Sequence, residues 1–155
     1  GAMEFFDLLN ENKIPLVIIS SSGLGGDSIK MFFDKEGKGY KNIDIVSNTY
    51  IWNKDGNAVG IKKPIIHVMN KDETLLKDYS FFNKVKNRQN VILLGDSLGD
   101  IGMIEGFDYH NLIKIGFLNE DIEKQIDSYK REYDVIILND GGMKFVTDLV
   151  KELTV

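Results

Sequence analysis

The chain has 155 residues, which fits one domain, and its 43% hydrophobic and 28% charged residues are typical of a globular protein with a real core. A formal net charge of -5 without a run of Lys or Arg argues against a nucleic-acid partner, and no apolar stretch is long enough to cross a membrane. The chain contains no cysteine, which excludes disulfides and thiolate metal sites and fits a reducing compartment.

The first third of the sequence predicts two helices around one strand. Residues 1–3 (Gly-Ala-Met) have the composition of a cloning scar and are set aside, so the domain is expected to span residues 4–155. An apolar stripe predicts a helix over residues 4–12, and a β-branched run over residues 16–19 is typical of a buried strand. A Ser/Gly-rich segment at residues 20–26 then leads into a predicted helix.

The middle of the sequence predicts a strand, a hairpin and a helix. Residues 43–46 form a short apolar run, and residues 50–52 and 58–61 flank Asp55-Gly56, a pair that favours a hairpin turn. From about residue 71 to 85 the apolar spacing is helical.

The last third alternates strands and helices. The clearest strand, residues 91–94, runs into Gly95-Asp96-Ser97-Leu98-Gly99-Asp100. Further elements are predicted at residues 101–105 (helix), 113–116 (strand), 120–129 (helix), 135–138 (strand) and 143–153 (helix). This alternation predicts an α/β fold, a mostly parallel sheet with helices on both faces and an added β-hairpin. Ligands bind at the carboxyl ends of such strands, which points to the segments at 20–27 and 95–100.

Residues 95–100, named the acidic loop, place Asp96 and Asp100 four residues apart on a strand-to-helix turn. Mg²⁺ prefers hard oxygen ligands and typically takes one or two protein carboxylates, completing its shell with water and phosphate. One aspartate could bind metal while the other orients it or a neighbouring lysine. The alternative is that Asp100 caps the following helix and Asp96 only ends a strand.

Residues 20–26, named the Ser/Gly loop, follow a strand and precede a helix. Small residues there can expose backbone N–H groups to a phosphate, helped by the helix N-terminus and a Ser hydroxyl, although Ser/Gly turns are also common connectors. Lys71, at the start of a predicted helix, could neutralise phosphate charge, but most lysines are solvated surface groups.

Together these segments resemble motifs of the haloacid-dehalogenase superfamily. The strand that ends in Ser20 is similar to its second motif, Lys71 to its third and the acidic loop to its fourth, with a spacing of 25 residues from Lys71 to Asp96. The chain resembles most the cytosolic pyrimidine 5'-nucleotidases (the 5'-nucleotidase III group) through Phe5-Phe6-Asp7, Pro15, Gly23-Leu24-Gly25, Asp27, Val46-Ser47-Asn48, Ile66-His67-Val68-Met69-Asn70-Lys71, Leu93-Leu94-Gly95-Asp96-Ser97 and Lys114-Ile115-Gly116-Phe117-Leu118-Asn119.

The resemblance implies a three-layer, Rossmann-like core and a cytoplasmic, Mg²⁺-dependent phosphohydrolase acting on pyrimidine nucleoside 5'-monophosphates. Ser20, helped by Ser21, would hold the substrate phosphate, although an apparently longer Ser/Gly loop leaves the choice between the two open. Lys71 would neutralise the phosphate and the nucleophile, Asp96 would bind Mg²⁺, and Asp100 would support the metal or Lys71. In the family an aspartate attacks the phosphate, and water hydrolyses the aspartyl-phosphate.

The sequence departs from this family where the nucleophile should be. No Asp-x-Asp pair follows an apolar strand before Ser20. The chain is therefore expected to be the C-terminal part of a hydrolase core that lacks the first motif, its central strand and the cap, and to be inactive alone. Without that strand the chain is expected to close the gap itself, to swap with a second copy or to be completed by a longer protein, because open strand edges favour further pairing. The alternative is a non-catalytic phosphate-binding or self-associating module.

Overall fold

A computed structural model describes residues 1–67, 79, 81–105 and 107–154. The chain divides into two compact units, which are treated separately. The N-terminal unit comprises Met3–Asn70, and the C-terminal unit comprises Lys71–Val155 together with Gly1–Ala2.

The N-terminal unit combines a parallel strand pair with a hairpin. Its elements are α1 (Ala2–Glu11), β1 (Leu16–Ser20), α2 (Gly25–Lys35), β2 (Ile43–Ser47), β3 (Tyr50–Trp52) and β4 (Ala58–Ile61). β1 and β2 run parallel, in a register that places Ser20 opposite Ser47 at their carboxyl ends. β3 and β4 are antiparallel, so the hairpin predicted from Asp55-Gly56 is confirmed, with Gly56 at a φ of +79°.

Aromatic and aliphatic side chains fill the interior of this unit. Phe5 and Leu9 of α1, Phe33 of α2 and Val46 of β2 are all buried. The Phe6 ring meets the Phe33 ring edge-on, with centroids 5.0 Å apart. The helical stripe predicted for the first residues is thus the face that packs, and the helix already begins at Ala2.

The C-terminal unit is built on a parallel three-stranded sheet. Its elements are α3 (Phe82–Val85), β5 (Asn90–Gly95), a 3-10 helix (Leu98–Ile104), β6 (Asn111–Leu118), α4 (Ile122–Glu132), β7 (Val135–Leu138) and α5 (Lys144–Leu153). The strand order is β5-β6-β7, and Gly95 lies opposite Gly116. Of the helix predicted over residues 71–85, residues 71–78 and 80 lie outside the described part of the chain.

The helix predicted at residues 101–105 differs from the observed one. A 3-10 helix begins earlier, at Leu98, because Ser97 and Asp100 form a capping box that closes its first turn.

The predicted α/β class with mostly parallel strands is confirmed. β1 is half-buried along its length, whereas its apolar run predicted a buried strand. Within the described residues, β1 pairs only with β2, and β5 only with β6, so each strand is hydrogen-bonded on one side. None of the described helices is both long and apolar enough to span a bilayer.

Candidate functional site

The acidic loop begins at the last residue of β5, and its two aspartates differ in their exposure to solvent. Asp96 is exposed, whereas Asp100 is only 4% exposed. The Asp100 Oδ2 atom accepts hydrogen bonds from the backbone N–H groups of Asp96 and Ser97, both at 3.0 Å. A buried carboxylate held by backbone amides is well satisfied and fixed in direction. Asp100 thus caps the following 3-10 helix, as the alternative interpretation predicted, and the same carboxylate holds the backbone of Asp96.

Tyr129 of α4 and Tyr133, which directly follows α4, hold the other side of this loop. The Tyr129 hydroxyl donates to the Asp96 carbonyl and the Tyr133 hydroxyl to the Ser97 carbonyl, each at 2.6 Å. Burial raises the pKa of both hydroxyls, and the carboxylates of Asp96 and Asp100 raise it further. Both tyrosines therefore remain protonated donors at neutral pH.

Two glycines make room for this arrangement. A Cβ atom on Gly95 would lie 2.6 Å from the Tyr133 hydroxyl and 2.7 Å from the Asp100 Cβ. A Cβ atom on Gly116 would lie 2.7 Å from the Tyr133 ring. Real Cβ atoms do not approach so closely, so the end of the β5–β6 pair requires glycine at both positions.

The Ser/Gly loop is held mainly by local backbone contacts. Its N–H groups donate to nearby acceptors: Ser22 N to Ser20 Oγ (3.2 Å), Leu24 N to Ser22 Oγ (3.1 Å), Gly25 N to Ser22 O (3.2 Å) and Gly26 N to Asn48 O (2.9 Å). Many of the backbone N–H groups that the sequence predicted for phosphate binding therefore already donate hydrogen bonds within the protein. The hydroxyls of Ser20 and Ser21 become the more important donors.

Ser20 and Ser21 are both half-buried at the carboxyl end of β1. A hydroxyl has one proton and two lone pairs, so Ser20 can accept from Ser22 N and still donate to a phosphate oxygen. The geometry keeps both serines as candidates.

Asn48, which follows β2, is a further organising residue of the same unit. It is 8% exposed, and its side-chain amide exchanges two hydrogen bonds with the backbone of Ile66: Ile66 N to Asn48 Oδ1 at 2.8 Å, and Asn48 Nδ2 to Ile66 O at 3.1 Å. The backbone carbonyl of Asn48 also accepts a hydrogen bond from the backbone N–H of Gly26. Asn48 therefore fixes the start of α2 and the segment that leads toward Lys71, which itself lies outside the described residues.

The donor chemistry of the acidic loop suits Mg²⁺. No group of three or more His, Cys, Asp or Glu side chains that could hold a metal occurs among the residues the structure describes. Mg²⁺ does not need one, because one or two carboxylates with water and phosphate oxygens complete its shell. Asp96, exposed at a strand end with its backbone fixed, fits that requirement.

The structure brings Asp96 and Asp100 together in one loop, and Ser20 and Ser21 in another. Tyr129 and Tyr133 were not recognised from the sequence. Tyr129 ends the helix predicted over residues 120–129 and Tyr133 lies beyond it, so no helical spacing predicted that the two hydroxyls would meet one segment.

Comparison with known proteins agrees with these observations. Residues 1–154 match the model of the family described as pyrimidine 5'-nucleotidase (UMPH-1). The chain belongs to this family, as its motifs predicted.

Named relatives carry the same enzyme class. The 7-methylguanosine phosphate-specific 5'-nucleotidases of Mus musculus and Homo sapiens are each 36% identical over 154 residues, covering 99% of this chain and 51% of theirs. The chain thus spans about half the length of these curated relatives.

A solved structure extends the match to three dimensions. The crystal structure of cytosolic 5'-nucleotidase IIIB (cN-IIIB) bound to cytidine is similar, with a TM-score of 0.85 and 29% identity. The similarity covers 96% of this chain and 51% of that one.

Proposed function

We propose that the whole protein to which this sequence belongs is a Mg²⁺-dependent phosphohydrolase of nucleoside 5'-monophosphates, and that this chain supplies its metal-binding and phosphate-binding loops. The acidic loop carries the proposal, because an exposed Asp96 is held at a strand end by the buried Asp100. Membership of a 5'-nucleotidase family supports the reaction class.

Each site residue has a distinct proposed role. Asp96 would ligate Mg²⁺, and Asp100 would orient Asp96 through its backbone amide. Ser20 and Ser21 would donate hydroxyl protons to the phosphate, and Lys71 would offset its negative charge. Bound Mg²⁺ supplies electrostatic stabilisation of the charge on the transferring phosphoryl group. These roles are those of the haloacid-dehalogenase motifs that the sequence resembles.

The substrate proposal covers pyrimidine nucleotides and one modified purine. The family description and the cytidine bound by the structural neighbour support UMP and CMP. The names of the mouse and human relatives support 7-methylguanosine monophosphate. We propose the cytosol as its location, because the solved neighbour is a cytosolic 5'-nucleotidase by name.

The chain by itself is proposed to be inactive, because it contains no Asp-x-Asp pair after an apolar strand before Ser20. The one aspartate in that region, Asp7, lies in α1 and accepts hydrogen bonds from Lys38 Nζ (2.7 Å) and from the Tyr40 hydroxyl. An aspartate engaged in an ion pair on a helix does not replace a strand-end nucleophile.

Phosphate release from UMP, CMP and 7-methylguanosine monophosphate with Mg²⁺ tests the activity. We expect no turnover by this chain, and turnover by a longer protein that adds an Asp-x-Asp strand to it. Turnover by this chain that disappears in Asp96→Ala would contradict the proposed inactivity.

Mn²⁺ binding, followed by its electron paramagnetic resonance signal, tests the metal site directly. Asp96→Ala should weaken binding at least about tenfold, because it removes the proposed carboxylate ligand of the metal. Asp108→Ala, which removes a carboxylate from an exposed position of the same unit, is the matched control. Equal Mn²⁺ binding by Asp96→Ala and by the wild-type chain would contradict the assignment of Asp96 as the metal ligand.

A second candidate is a self-associating, non-catalytic module. The observation that favours it is the one-sided pairing of β1 and of β5 in the described part of the chain, since unpaired edges accept further strands. Native mass measurement decides this: a monomer at all concentrations excludes it, and a stable dimer supports it.

A further inference from the structure

The feature that leads furthest beyond the proposed function is the pair of tyrosines under the acidic loop. Tyr129 and Tyr133 are 2% and 5% exposed, and both belong to one buried cluster with Leu118. Their rings stack, with centroids 5.3 Å apart and planes 28° from parallel. Tyr129 lies in the last turn of α4 and Tyr133 directly follows its last residue, and both hydroxyls reach the same segment.

These hydroxyls bind two consecutive carbonyls. Tyr129 donates to Asp96 O and Tyr133 to Ser97 O, at 2.6 Å in both cases. The N–H groups of the same two residues donate to Asp100 Oδ2. Each residue therefore has its carbonyl and its amide bonded in the protein. Because both backbone groups of Asp96 are fixed, the direction in which its Cα–Cβ bond leaves the loop is fixed as well.

The packing around Tyr133 leaves this arrangement little room to shift. Its ring lies over Gly116 and its hydroxyl lies beside Gly95, where even a methyl group would be within 2.7 Å. A buried tyrosine hydroxyl needs a hydrogen-bond partner wherever it lies, and here both partners are consecutive carbonyls of the acidic loop.

We propose that Tyr129 and Tyr133 are positioning residues of the acidic loop, which hold the Asp96 carboxylate in the direction required for metal binding. The inference rests on the proposed function in one respect, the assignment of Asp96 as the metal ligand. The orientation of the loop itself follows from the hydrogen bonds alone.

The first test is hydrogen exchange on Tyr129→Phe, Tyr133→Phe and the double variant. Each change removes one hydroxyl and keeps the ring, so the core remains filled. We expect the Asp96 and Ser97 amides to exchange about fivefold faster in each single variant, the change that one ordinary net hydrogen bond corresponds to.

Two controls separate a local effect from general destabilisation. The amides of Ile115 and Leu118 in β6 report on the stability of the same unit. Tyr109→Phe removes the hydroxyl of an exposed tyrosine and should change neither set. If the loop amides and the β6 amides accelerate together, or if neither changes, the positioning role is wrong and the tyrosines are ordinary core residues.

The second test is Mn²⁺ binding by the same variants. Binding about fivefold weaker or more in the double variant, with Tyr109→Phe unchanged, supports the proposal; equal binding by all of them overturns it. A wild-type chain that binds no Mn²⁺ instead refutes the metal assignment of the proposed function. In that case the exchange result alone decides whether the tyrosines orient the loop.

Discussion

The Ser/Gly loop and the acidic loop both follow a parallel strand, yet they are held by different contacts. The Ser/Gly loop is fixed by bonds between near neighbours, such as Ser22 N to Ser20 Oγ and Leu24 N to Ser22 Oγ, and by the Tyr50 hydroxyl, which donates to the carbonyl of the exposed Gly23. The acidic loop is fixed by buried side chains, with Asp100 on its amides and with Tyr129 and Tyr133 on its carbonyls.

This difference matches the ligands proposed for each loop. A metal ion demands a narrow ligand geometry, which requires a carboxylate whose backbone is fixed from several sides. A phosphate accepts hydrogen bonds from many directions, so a short loop with two hydroxyls can serve it. We therefore expect substitutions to destabilise the acidic loop more than the Ser/Gly loop.

The largest expected effect is that of Asp100→Ala. It leaves the buried N–H groups of Asp96 and Ser97 without their acceptor, and we expect a loss of about 3 kcal/mol in the free energy of unfolding of the C-terminal unit. Hydrogen exchange of the β6 amides measures it. Asp100→Asn, which keeps an acceptor oxygen, should lose only about 1 kcal/mol. Equal losses for the two variants would show that the amide bonds do not explain the burial of Asp100.

The second-largest loss of stability is expected for Gly116→Ala. Its Cβ would lie 2.7 Å from the Tyr133 ring, so the ring must move, and overpacking of this kind costs about 2 kcal/mol. The same exchange measurement applies. Gly142→Ala is the matched control, because no atom lies within 4 Å of the added Cβ. If Gly116→Ala does not lower the stability, the Tyr133 ring has room to move away from residue 116, and this account of the packing is wrong.

In the Ser/Gly loop we expect a smaller effect from Gly25→Ala. Gly25 has a φ of +74°, and a Cβ there would lie 2.9 Å from the Asn48 carbonyl oxygen. A left-handed backbone costs an L-residue about 1–2 kcal/mol. Trp52, the only tryptophan, lies in this unit and can report its urea unfolding by fluorescence. Gly23→Ala, with open space around its Cβ, should stay near wild type, and a loss equal to that of Gly25→Ala would contradict this account.

The smallest effect concerns Asp7 and depends on pH. Hydrogen bonds from Lys38 and Tyr40 lower the pKa of Asp7 below its ordinary value of 3.8. A carboxyl whose pKa is lowered by folding stabilises the folded state above its unfolded pKa, and this contribution is lost as pH falls through the lower, folded value. The difference in melting temperature between wild type and Asp7→Asn should therefore be present at pH 7 and shrink below about pH 4.

Glu11→Gln, an exposed change at the end of the same helix, controls for the general effect of acid. A difference between wild type and Asp7→Asn that stays constant down to about pH 2 would rule out the ion pair as its cause.

Much of the fold could be predicted because its strands are short apolar runs. β7 was predicted with its observed bounds, Val135–Leu138, and β1 and β5 to within one residue at each end. The 3-10 helix was not predicted as such, because its first turn depends on side-chain bonds between Ser97 and Asp100. The half-burial of β1 was not predicted either, because a run of apolar residues does not reveal how many neighbouring strands cover it.

By itself, the sequence determined the α/β class, the family and the two strand-end loops, because these depend on residue types that lie close together along the chain. Only the tertiary structure decided how the two aspartates differ: Asp96 is exposed, while Asp100 is buried against backbone amides. It also decided what holds the acidic loop. The tyrosines that bind its carbonyls are 33 and 36 residues away in sequence, and only the packing of α4 and of the residue that follows it brings them within hydrogen-bonding distance.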